Sequence, residues 1–497
     1  MPKATDPIAP LTRRERIVIT LLCLAGAIRV FIFIAAFPFF NNVDEQQHFD
    51  LVFKYSRGHL PAAPLEKFDP QAAEIIARSS SGEYFNNPTD HSPGSVAGAI
   101  IVLLSRDNLE TWAWPAYYML AGLWCWLGKS LAFTDGWLLY WIRFLNVPLI
   151  AAFVWLSFVF SRKFLRAGGL QQFALPLMVA FFPQDIFYSI TSDAFSPVVF
   201  AAAFFMLLGI WLGEKSWKYH LFTGLIVAVA FLTKASNIAI VPFAAGVILT
   251  KIVQAIRHTD GGQVRQKQLK QYLPCLVAFA AAAVVPVALW LGRNYVLFGN
   301  AAGAGASMKN RTWTVKPFSE FFNHPILTPS GLFYFLKELT KTFWRGEFVW
   351  HWERIASGFM DRFYIITSAV FITVSILGLF TKKPKMNTSL RLTLAAGLFV
   401  LIVSVLFLAF MSMRYDFGEC FYPSRKLPYF TSGRLIAGTI LPFLMLYIDG
   451  LQRILAKLRC ESCLLVAVGI IVVAITVSEI ILTLPVFASP YNWFHLH

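Results

Sequence analysis

Long apolar runs separated by short charged gaps organise this chain. They fall near 17–38, 137–160, 173–191, 195–213, 220–233, 235–250, 272–293, 363–381, 391–411, 434–450 and 462–485. Most are long enough to cross the hydrocarbon core of a bilayer as one helix. Two other apolar stretches, 94–105 and 114–131, are short or interrupted. They read as interfacial helices lying against the outer leaflet. The pattern predicts an all-α, polytopic membrane protein with eleven transmembrane helices.

Charge then sets the orientation. One set of gaps carries Arg162/Lys163/Arg166, Lys215/Lys218, Lys251/Arg257/Arg265/Lys267/Lys270, Lys382/Lys383/Lys385/Arg391 and Arg453/Lys457/Arg459. The N-terminal tail adds Lys3, Arg13, Arg14 and Arg16. Basic residues concentrate in short cytoplasmic loops, so this face is cytoplasmic. The N-terminus is then inside and the C-terminus outside. The first run is too long for a cleavable signal, and no small-residue cleavage site follows it. Four regions result: a tail, 1–16; an N-terminal module, 17–250, with outer loop 39–136; a basic cytoplasmic loop, 251–271; and a C-terminal module, 272–497, with outer loops 294–362 and 412–433.

Composition agrees. Of 497 residues, 57% are hydrophobic and only 14% charged, about half the usual charged share. The net charge of +16 sits beside apolar spans, so it reports membrane orientation and predicts no nucleic-acid partner. Cys23, Cys125, Cys275, Cys420, Cys460 and Cys463 are scattered, and no disulfide framework is visible. The lone Cys460/Cys463 spacing is weak evidence for metal or redox chemistry. Asn310-Arg311-Thr312 is a glycosylation sequon of a kind common by chance. No internal repeat of fixed period appears, which gives a repeat-built transporter no support.

The candidate chemistry converges on the outer face. Asn41-Asn42-Val43-Asp44-Glu45-Gln46-Gln47-His48-Phe49-Asp50 follows the first span directly. Carboxylates at a membrane-helix mouth are costly and read as functional; the bland reading is a solvated acidic loop. In a helix, Asp44 and His48 share a face at i, i+4. Asp193, in Ser192-Asp193-Ala194, separates two spans at their outer ends. It reads equally as a helix cap, and Asp185 competes for the same role. Arg29, Arg143 and Lys234 lie within or beside apolar runs, where a cation faces a polar interior or snorkels outward. The run Tyr422 to Arg434 holds Arg425, Lys426 and, after a flexible Gly433, Arg434. It is either an interfacial anchor or a phosphate-binding segment, since guanidinium and helix N-termini both favour phosphate. Gly299 to Ala306 is either a mobile gate or a linker.

A carboxylate at such a boundary can act as general base toward a hydroxyl. Nearby cations, or a divalent ion such as Mg or Mn held by Asp44 and Asp193, would meet the charge of a departing phosphate.

The layout and these residues resemble the GT-C superfamily of integral-membrane glycosyltransferases. Asp44-Glu45 matches that family's first acidic motif, Asp193 matches the second by position, and Trp114-Pro115-Ala116-Tyr117-Tyr118 resembles its Pro-x-Tyr-Tyr interfacial helix. The chain also resembles a bacterial membrane-protein family marked by Pro-Asp-Glu-x-x-His-Phe; Val43 stands where that box has proline. Phe182-Pro183 with Ser192-Asp193-Ala194, Lys234 and Gly433-Arg434 have counterparts there. The resemblance implies an inverting transferase in a bacterial inner membrane, active on the extracytoplasmic face. It implies a polyprenyl-phosphate-sugar donor and a glycan or glycolipid acceptor. Asp44 would be the base, with Glu45, His48 and Asp193 orienting acceptor, base or metal. Arg434, Lys234, Arg425, Lys426 and Arg143 would hold the donor phosphate. Two other readings stay open: a glycan ligase using Arg345, His351 and Arg354, and a lipid-linked glycan flippase.

Overall fold

The computed structural model describes residues 10–42, 44–165, 169–257, 262–381, 387–420 and 422–495. Val43 and the basic residues Lys3, Arg166, Lys382, Lys383 and Lys385 lie outside the described residues. Among the described residues, nine helices are long and apolar enough to cross a membrane. They are Arg13–Ala36, Asp135–Leu165, Ser192–Leu212, Ala235–Gln254, Tyr272–Phe298, Gly358–Phe380, Thr388–Arg414, Gly433–Lys457 and Glu461–Phe487. The chain is thus an all-α polytopic membrane protein, with three two-stranded ribbons as its only strands among the described residues.

Two of the eleven expected spans are shorter. Trp217–Thr233 is an apolar helix of 17 residues. The run 173–191 is not one helix: Ala174–Ala180 ends, and short 3₁₀ turns follow at Asp185–Tyr188 and Ser192–Ala194. Phe182-Pro183 supplies the reason. Proline lacks an N–H, and the residue before it avoids the helical region. The unwound backbone stays buried and is satisfied by side chains, as irregular structure at membrane depth requires. Asn146 Nδ2 donates to the carbonyls of Phe187 (3.1 Å) and Ser189 (3.0 Å).

The basic segment 251–271 also differs from a loop. Ile240–Arg257 extends into it, and a 37-residue helix begins at Gly262. That helix packs along Trp217–Thr233. Gly224 permits the approach, because a Cβ there would lie 2.3 Å from the Phe279 carbonyl oxygen.

Segment 39–136 is largely helical. Glu45–Tyr55 follows the first span and packs on Pro115–Ser130, while Pro70–Ser79 packs on Pro93–Ser105. The two stretches expected as interfacial helices are the 13-residue and 16-residue members of this group. Asp50, fully buried, ties the loop together by pairing with Lys54 at 2.9 Å and accepting from Asn108 at 2.7 Å. Gly433–Lys457 is the most enclosed of the nine spans and Tyr272–Phe298 the least. The most enclosed span begins at the residues that complete the site.

Candidate active site

The first acidic box divides into two different environments. Glu45 is 1% exposed. Its carboxylate takes two bonds from Arg143, both 2.7 Å, and accepts the N–H groups of Phe40 and Ile190, both 2.9 Å. Arg143, equally buried, also donates to the carbonyls of Phe37 (2.5 Å) and Pro38 (3.1 Å). A bidentate pair with further hydrogen bonds on both partners is the arrangement in which buried charges persist. It staples the end of the first span to the 181–195 segment. Arg143 is therefore committed inside the protein, away from the phosphate role expected of it, and Glu45 serves as its counter-charge.

Asp44 faces the other way. It stands just before Glu45–Tyr55 in the left-handed region, at φ 65°, with no capping bond from its side chain; aspartate tolerates that backbone better than most residues. Its carboxylate is 25% exposed and meets Arg434 Nη2 at 3.5 Å. Gln47 Nε2 also approaches it, at 3.3 Å.

Asp193 is 1% exposed. Its Oδ1 is paired with Lys234; its Oδ2 accepts from Thr191 Oγ1 at 3.2 Å and faces Arg434 Nη1 at 3.8 Å. Thr191 in turn accepts the Asp193 N–H, so the cap belongs to the threonine and frees the aspartate for the cluster. Arg434 reaches a third acid, Glu347, whose Oε2 lies 3.8 Å from Arg434 Nε and accepts from Ser432. Glu347 Oε1 and Arg434 Nε are buried without hydrogen-bond partners. One guanidinium thus spans three carboxylates, in a long hydrogen bond to Asp44 and at ion-pair distance from Asp193 and Glu347, and an unpaired donor and acceptor remain.

Gly433 makes that placement possible by closeness rather than flexibility. A Cβ there would stand 2.1 Å from the Phe343 nitrogen, at the last turn of helix Pro329–Arg345. Glu347 follows that helix and was not singled out in the sequence, where it belongs to no motif. Its backbone N–H donates to the buried Asp185 at 2.7 Å. Asp185 therefore lies beneath Glu347 and does not replace Asp193.

His48 shares the site from the next helical turn. Its Nδ1 lies 2.6 Å from the Tyr118 hydroxyl. Burial pushes its pKa down to about 4, with neighbouring Asp44 and Asp193 opposing the shift. The ring is neutral at physiological pH, so it accepts or donates hydrogen bonds rather than supplying charge. The folded-state value lies below the ordinary 6.5. Its contribution to stability is full above that value and is lost as pH falls toward about 4. Thermal unfolding in detergent should show wild type losing stability across this window, and His48→Gln losing less.

The remaining candidates, apart from Arg354 and Lys426, pair with acids outside the cluster. Arg425 is exposed and pairs with Asp416 at 2.9 Å. With Lys426, Lys316, Glu320 and Asn323 it lines a separate hollow of about 410 Å³. The structure does not bring Arg425 or Lys426 to the cluster. Arg29 pairs with Glu479 at 2.6 Å, joining the first and last spans. Arg345 pairs with Asp361 (2.8 Å), His351 with Glu83 (2.8 Å), and Arg354 approaches Glu347 at 3.9 Å. Each of the three is held by a different acid, and Arg354 is the one that reaches the cluster, through Glu347.

The donor set as arranged does not fit a divalent cation. A metal bridging Asp44 and Asp193 would stand where Arg434 stands and would meet Lys234 as well. The cations already present balance two of the three carboxylates. Such a cluster can take a proton at its accessible acid and meet an anion at its arginine.

No protein-family model and no curated protein sequence matches the chain. Two similar solved structures are of the oligosaccharyltransferase from Archaeoglobus fulgidus. One is archaeal AglB in complex with an inhibitory peptide and a dolichol-phosphate, with TM-score 0.43 and 10% identity over 97% of this chain. The other is the apo form, with TM-score 0.39 and 11% identity over 95% of this chain. In both cases the match covers 56% of the archaeal chain, so this chain spans about half the length of those structures.

Proposed function

We propose that the chain is a GT-C-type glycosyltransferase of a bacterial inner membrane. It moves a sugar from a polyprenyl-phosphate donor to a lipid- or polymer-linked glycan on the extracytoplasmic face. One observation carries this reading. Asp44, Asp193 and Glu347, from three separate loops, converge on Arg434, which lies 390 residues from Asp44 in the chain.

Asp44 is the base, because it is the most exposed of the four site acids and its oxygens are held only by long contacts, from Gln47 at 3.3 Å and Arg434 at 3.5 Å. Its carboxylate takes the proton from the acceptor hydroxyl as that oxygen attacks the anomeric carbon. The bond from that carbon to the phosphate oxygen breaks on the opposite face, so configuration inverts. The departing lipid phosphate carries the released electron pair and is met by Arg434 and Lys234. Asp193 holds those two cations in place. Glu45 and Arg143 hold the loop that presents Asp44.

Arg434→Lys tests the phosphate role, since an ammonium cannot span the three acids or bind bidentately. Transfer should fall about 10²–10³-fold, while Arg425→Ala, outside the site, stays near wild type. Mass spectrometry of surface glycans and lipid-linked sugars, in a deletion strain rescued with each variant, reads the result. Full glycans with Arg434→Lys would overturn the assignment.

A further inference from the structure

Outer loop 294–362 carries an apolar face that none of the nine spans accounts for. Phe318 (71% exposed), Phe322 (68%), Leu327 (56%) and Phe333 (67%) stand out from the protein, with Leu332 and Leu336 beside them. The last three lie on helix Pro329–Arg345, on the same broad apolar stripe whose other part is buried at Phe335, Leu339 and Phe343. Packing therefore covers only part of this stripe and leaves its Leu332, Phe333 and Leu336 edge open. A contiguous exposed apolar patch of this kind marks an interaction surface.

The patch runs on from lipid-facing surface. Phe318 and Phe322 are in ring contact (5.5 Å), and Phe318 also touches Phe321. Phe321 packs on Phe410 of the Thr388–Arg414 span at 6.0 Å. Phe410 is itself 41% exposed. Lys337, one turn beyond Phe333, keeps its side chain 39% exposed, suited to reach from an apolar face to lipid headgroups.

We infer that segment 318–336 is a membrane-surface anchor, seated in the interfacial layer of the same bilayer the spans cross. The partner is lipid. The anchor has a consequence for the site, because Glu347 follows the same helix and Gly433 packs on its last turn. Seating the helix against the bilayer fixes the height at which Glu347 meets Arg434. The inference does not rest on the proposed reaction.

The test uses the full chain in liposomes, with Cys420, Cys460 and Cys463 replaced by serine. Phe333→Cys and, as an aqueous control, Arg425→Cys each carry an environment-sensitive fluorophore. At position 333 the emission should shift to the blue, and spin-labelled lipids should quench it at least about twofold more than at 425. Water-like emission at 333 with quenching equal to that at 425 would overturn the inference. Shielding at 333 without lipid quenching, together with 333-to-333 crosslinking, would also overturn it and assign the face to a second copy of the chain.

Discussion

Asp44→Asn is expected to abolish glycosyl transfer and leave the protein folded in the membrane. The asparagine keeps the size of the side chain and tolerates the left-handed backbone at this position. It gives up only a 3.5 Å contact with Arg434 on a partly exposed group, so the cost in stability is small. The chemical cost is large, because an amide cannot accept the hydroxyl proton. Loss of a general base removes about 10²–10⁴-fold in rate, enough to leave the glycan one sugar short in cells. The variant should extract and unfold in detergent like wild type, with the sugar-phosphate lipid accumulating. Normal glycans from this variant would show that the acidic box is only structural.

The residue next to it behaves oppositely. Arg143→Met strands Glu45 in a site where both partners are 1% exposed. Removing one partner of a buried pair costs about 3–5 kcal/mol, because the other charge stays unpaired. That is a large part of the stability of an ordinary domain, so the variant should express poorly and unfold at a markedly lower temperature. Adding Glu45→Gln should recover part of the loss, since the amide still accepts an N–H bond and carries no charge. Activity per folded molecule is the second readout. A variant that folds and transfers at the wild-type rate would separate Arg143 from the presentation of Asp44.

The contrast shows what the sequence could and could not tell. Asp44 and Glu45 are adjacent carboxylates in one motif, and nothing in their order says which is buried. The partner of Glu45 lies 98 residues away. Periodicity and charge located the spans well, because lipid imposes length and hydropathy on each one separately. The clearest exception, 173–191, is mostly apolar yet unwound after Ala180, and Pro183 was the available signal. Arg425 and Lys426 lie within ten residues of Arg434, but a turn carries them to another hollow. Proximity along the chain is a poor guide inside a loop. Glu347 had no local signal at all. Its role exists only because a helix end and the start of the Gly433–Lys457 span meet in space.

The convergence on Arg434 also orders the site in time. A chain made from its N-terminus inserts Asp44 and Asp193 long before residue 434 leaves the ribosome. Lys234 follows Asp193 after 41 residues and can neutralise it early. Asp44 and Glu347 wait for the arginine, which arrives with the most enclosed span of the nine. A nascent chain halted before that span would hold every acid of the site and lack the cation that gathers them. The finished site is therefore a product of a late stage of membrane insertion, and chains truncated before that span should be inert whatever their first half has folded into.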